Sequence, residues 1–135
     1  MGTSRGAIRR LSERPSDSPI EVLMMNELIS RKLRLDGIGG EVDVPIRVYW
    51  PVEEKAAWNC RWQIDWPDRQ RANSARGIDA IQAILQALTM VGAELYCSEE
   101  HRSGRLSWRS DWKGYGFPLP ANLRDMLVGD DAGFL

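Results

Sequence analysis

A chain of 135 residues, 43% hydrophobic and 27% charged, is long enough for one core without metals or disulfides and too apolar to be disordered throughout. Its formal net charge of −1 excludes recruitment of nucleic acid or acidic membrane by global electrostatics, and no apolar run approaches the roughly eighteen residues of a spanning helix. Two cysteines allow at most one disulfide, and the first 25 residues lack the apolar stretch of a secretory signal, so a cytoplasmic setting with reduced thiols is expected.

Arg5, Arg9, Arg10 and Arg14 lie among Gly, Ser and Pro with little apolar surface to offset ordering, so residues 1–24 read as a disordered tail. Residues 25–135 read as a single domain, and Met24 or Met25 is an alternative translation start. Ile29–Leu35 is expected to be a strand with Ile29, Leu33 and Leu35 inward, followed by turn chemistry at Asp36–Gly40. Val42, Val44, Ile46, Val48 and Trp50 alternate with polar residues in a second strand. Within it Pro45 cannot donate a ladder bond, which places that point at a bulge or an edge.

The clearest signal follows. Trp58, Cys60, Trp62, Ile64 and Trp66 alternate with polar residues, and only period two puts all five on one face. Pro67 ends this tryptophan-rich strand. From Asn73-Ser74 the period becomes helical: Ile78, Ile81, Leu85, Leu88 and Leu95 form the expected buried stripe, widened by Ala80, Ile84, Ala87 and Val91. Ser74 is a fair N-cap, and the helix is expected to run to about Ser98. Arg105–Arg109 reads as a fourth strand, and an aromatic loop, Trp112–Pro120, leads to a short helix over Ala121–Val128 stopped by Gly129. The expected fold is α+β: an antiparallel sheet of about four strands in a meander, one long helix on one face, and a short C-terminal helix.

Chemistry is sparse in this pattern. Cys97 and His101 are four apart and Cys60 is a candidate third ligand, yet paired zinc-ligand spacings are absent, and no metal or cofactor is expected. With one histidine and no nucleophile turn, Cys-His catalysis lacks its orienting group, so no catalytic residue is assigned and the reading leans away from an enzyme. The carboxylates of Glu94, Glu99, Glu100, Asp111, Asp130 and Asp131 read as solvated. Gly37–Gly40 precedes a strand, which rules out a phosphate loop.

Two surfaces merit attention. Arg47, Arg61, Arg69, Arg71 and Arg76 offer an anion or RNA surface near the helix start, although Asp43, Asp65 and Asp68 dilute it and stacking aromatics lie on the other face; nucleic acid is therefore an unlikely partner. Trp112, Tyr115 and Phe117 in the glycine-containing loop offer a partner surface, against the alternative that they cap the core. Phe117–Pro118 is also a place to look for a cis bond.

The runs Gly77–Ala83, Ala87-Leu88, Gly92, Leu95, Gly104–Trp108 and Gly116–Pro120 together resemble an uncharacterised bacterial family of small single-domain proteins, a domain of unknown function, over about residues 27–130. The resemblance implies one α+β domain in a bacterial cytoplasm and carries no activity. The expected function is a small non-catalytic accessory or protein-interaction domain, immunity- or regulator-like. A small-molecule-binding protein or enzyme with a pocket near the aromatic loop is the alternative, and weak RNA or anion binding on the outer sheet face a second.

Overall fold

The structure, a computed structural model, describes residues 26–135; the tail and start-site readings lie outside the described residues. Six strands form one antiparallel sheet: β1 (Glu27–Gly37), β2 (Gly40–Tyr49), β3 (Val52–Glu54), β4 (Ala57–Trp66), β5 (Arg69–Gly77) and β6 (Leu106–Ser107). β4 pairs along one edge with β2 and β3 and along the other with β5, while β1 joins β2 to the two-residue β6. The count of six corrects the expected four.

Strand periodicity accounts for the core. Cys60, Trp62, Ile64 and Trp66 are buried on one face of β4 beside Val44, Ile46 and Val48 of β2 and Leu33 and Leu35 of β1, while Trp58 at the end is half-buried. Ile29 shares this face but remains 48% exposed. Pro45 marks a local edge. The β2–β4 ladder covers only Ile46–Val48, so the missing N–H of Pro45 falls where β4 has already diverged.

The largest correction concerns residues 69–77. They form β5, which no hydrophobic alternation announced because Arg69 and Arg71 occupy inward-facing positions, their guanidinium groups tied to Glu100 and Glu94. The helix α1 therefore begins later, at Ala80–Tyr96, and its N-cap is Asp79, whose carboxylate accepts from the Gln82 N–H at 2.8 Å. It ends before Ser98, which instead caps the short helix α2 (Glu99–Arg102).

α1 packs across β4 and β5 through Ala83, Ala87, Val91 and Leu95, fully buried at four-residue spacing, with the alanines toward its N-terminal half. The indoles of Trp62 and Trp66 already fill the space between layers, so close packing demands small residues opposite them. Of the expected stripe, Leu95, Ala87 and Val91 are buried, whereas Ile78, Ile81 and Leu85 are 82%, 68% and 56% exposed.

Beyond α2 the chain is mostly irregular. The fourth strand shrinks to β6, and residues 108–120 fold over the β1 side of the inner face. A 3-10 turn spans Ala121–Met126, and Gly129 opens a helix, α3 (Gly129–Phe134), where a stop was expected. Among the described residues every peptide bond is trans, Phe117–Pro118 included.

Candidate functional site

The exposed flank of α1 leads into a cleft of about 280 Å³. Its floor is Ile29, Ile46 and Val48, one wall is Leu88 of α1, and Phe117 and Pro118 close the end. Leu85 precedes Leu88 by three positions and Ile81 precedes Leu85 by four, so the three lie along one helix face and continue the apolar strip out of the cleft. Sequence reasoning assigned these residues to the core. The signal that separates them is size: the facing strand carries tryptophans, and only the alanine-containing face of the helix fits against it.

The closing loop is held from below. Gly92 gives it room, since a Cβ there would lie 1.9 Å from the Pro118 carbonyl oxygen. The carboxylate of Asp131, fully buried, accepts from Tyr96 Oη at 2.5 Å, Trp112 Nε1 at 2.7 Å, Tyr115 N at 2.7 Å and Gly116 N at 2.8 Å. Gly116, at φ 74°, lets the loop turn its N–H groups toward that carboxylate while Arg31 Nη1 bonds the Tyr115 and Gly116 carbonyls at 3.0 and 3.2 Å. The Arg31 guanidinium lies 3.7 Å from the Trp108 ring centre. Burial lowers the Arg31 pKa and Asp131 opposes that shift. Asp131 was read as solvated, and its burial is a tertiary result. With four donors, its lone pairs are committed to structure.

This arrangement decides the fate of the aromatic loop. Tyr115 and Phe117 are buried and Trp112 is half-buried against Phe134 and Trp108, so the rings face the core and the cleft rather than solvent. The Tyr115 hydroxyl meets His101 Nδ1, and burial, with Arg102 nearby, lowers the His101 pKa. Burial pushes the Tyr96 and Tyr115 hydroxyls well above the usual tyrosine range. Cys60 donates to the Tyr49 carbonyl and burial raises its thiol to about 11, which suppresses the nucleophilic thiolate. Cys97 is exposed and His101 is engaged by Tyr115, so the three do not converge; no metal-ligating cluster occurs among the described residues.

The five arginines of the expected anion surface do not converge either. Arg47, Arg61 and Arg76 share the outer face, whereas Arg69 and Arg71 reach round to α2 and to the C-terminal half of α1, away from its N-terminus. Arg47 bonds Asp65 at 2.5 Å, with Glu27 at 3.4 Å. Arg69 makes a fork with Glu100 at 2.9 and 3.2 Å, which holds that carboxyl below the usual glutamate range, and Arg71 makes another with Glu94 at 2.9 Å. Among the described residues Arg61 and Arg76 have no ion pair.

Residues 29–119 match the model of a family described as a domain of unknown function, DUF6968. The match covers the sheet, α1 and the closing loop, and stops before Asp131. No curated protein and no solved structure matches.

Proposed function

We propose that this chain, which belongs to the DUF6968 family of domains of unknown function, is a small non-catalytic protein-interaction domain of the bacterial cytoplasm, immunity- or regulator-like in kind. One observation carries the reading: α1 buries Ala83 and Ala87 and presents Ile81 and Leu85 to water, with Ile78 exposed just before the N-cap and the cleft contiguous at Leu88. Large aliphatic side chains left on one helix face next to an apolar cleft are the mark of a surface that a protein covers. Tyr96, Tyr115 and His101, whose pKa values are shifted, are held in hydrogen bonds beneath the loop, which supports a scaffold rather than a reacting centre.

The test is co-expression with the products of neighbouring genes, followed by size-exclusion chromatography. A complex is expected with the wild-type chain and none with Leu85→Glu, whose own stability should stay within about 0.5 kcal/mol because the site is exposed. Equal behaviour of the two chains overturns the reading.

A second reading is favoured by the cleft itself, whose volume approaches the lower end of ligand pockets, about 300 Å³. Small-molecule binding there predicts thermal stabilisation by a ligand that is lost when Leu88 or Phe117 is changed and retained in Leu85→Glu.

A further inference from the structure

Main-chain geometry along β1 adds a second kind of recognition to this surface. β6 covers β1 only opposite Arg34 and Leu35, and one bond further on, Asp36 N donates to the Arg105 carbonyl at 3.0 Å. In an antiparallel strand, alternate residues turn their N–H and C=O groups to opposite neighbours. Asp36 and Arg34 face β6, so Lys32 and Ser30 face the same way, beyond the point where β6 has left the sheet. The pairing of Lys32 with Pro45 agrees, because that pair needs no N–H from the proline. Both Ser30 and Lys32 are exposed, and neither has a main-chain partner among the described residues.

This open edge borders the cleft. Ile29 and Arg31 alternate to the inner side, where Ile29 lines the cleft together with Val48, Leu88 and Phe117; Ser30 and Lys32 point to the outer face. Lys32 has only a loose, exposed pairing with Asp43 at 3.8 Å. The sheet's other edge, β5, differs: its inward arginines are tied to α1 and α2.

We infer that the β1 edge at Ser30 and Lys32 receives an extended segment of a partner protein as an added strand. Its apolar side chains enter the Ile29–Leu88–Phe117 cleft, and the alternate, acidic ones lie beside Lys32. The inference rests on the protein-interaction reading and gives its mode. A strand is the occupant because one wall offers unpaired main-chain donors and acceptors, which a helix has already used internally and which an extended chain must satisfy. Cross-strand pairing supplies the acidic preference at Lys32.

The probe is the acetylated, amidated peptide Val-Glu-Val-Glu-Val, titrated into the full chain and followed by amide NMR. The Ser30 and Lys32 amides should shift and exchange more slowly. Lys32→Pro removes only the outward N–H and should weaken binding by about tenfold or more, while Lys32→Ala, which keeps that N–H, stays within about threefold. A peptide N-methylated on its pairing amides should also fail, which tests the mode with the protein unaltered. Shifts confined to other residues, equal binding by Lys32→Pro and Lys32→Ala with an intact β1–β2 ladder, or full binding of the methylated peptide overturn the inference. Ser30 and Lys32 amides already protected before peptide is added would also overturn it, placing the chain's own preceding segment or a second copy at the edge. If a partner complex survives Lys32→Pro yet is lost in Leu85→Glu, the added strand is wrong and the interaction reading stands; if both variants keep it, both fall.

Discussion

The two halves of the inner sheet face are covered by different physics. Over β4 and β5 the cover is α1, whose main chain satisfies itself and which needs only small side chains to seat against Trp62 and Trp66. Over β1 the cover is an irregular loop, whose N–H groups find no partner in regular structure and converge instead on the Asp131 carboxylate. A helical cover is specified by a repeating pattern and tolerates local change. A loop cover hangs on single polar groups, because a buried N–H left unpaired costs about 1–3 kcal/mol each. The cleft lies at the seam between the two, where neither cover reaches Ile29.

The comparison breaks hardest at Asp131. Asp131→Ala leaves the Tyr115 and Gly116 N–H groups, the Trp112 indole and the Tyr96 hydroxyl without their acceptor, and should cost about 3–5 kcal/mol in urea unfolding. A loss under about 1 kcal/mol would mean that water replaces the carboxylate and the loop is not so held. At the seam, Gly92→Ala sets a methyl group against the Pro118 carbonyl, and an outward shift of the loop costing about 1–3 kcal/mol is expected, read as a lower thermal midpoint with widened exposure of Phe117. An unchanged midpoint would show the loop to be freely displaceable. In the helix-covered half, the Trp62 and Trp66 indole N–H groups are buried with no acceptor among the described residues. Trp62→Phe removes one such unpaired donor, which offsets part of the lost volume, so the loss should be about 1 kcal/mol, well short of the roughly 3–5 kcal/mol of a large-to-small aromatic deletion. A cost in that larger range would mean that the indole N–H does have a partner.

Sequence legibility follows the same division. The β4 face was readable because five alternating apolar residues admit one conformation, and the helix was readable because its period is unambiguous. β5 was not: Arg69, Arg71 and Asn73 sit where apolar residues would signal a strand, and only Glu94 and Glu100, distant in the chain, explain the arginines there. The site was legible in part. The aromatic loop was singled out, yet the cleft and the exposed helix flank lie beside it, at Leu85, Leu88 and Ile29, since Tyr115 and Phe117 turn inward to the core.

By itself, then, the sequence determined that Trp58–Trp66 is a half-buried strand, that a helix covers a sheet, and that a loop rich in glycine and aromatics follows, because each depends on periodicity or on local backbone freedom. Which face of α1 meets the sheet, why Asp131 is buried, and where β1 is left without a neighbour were decided by tertiary structure alone. Those outcomes depend on the volumes of side chains opposite one another and on hydrogen-bond partners far apart in the chain, neither of which a local pattern records.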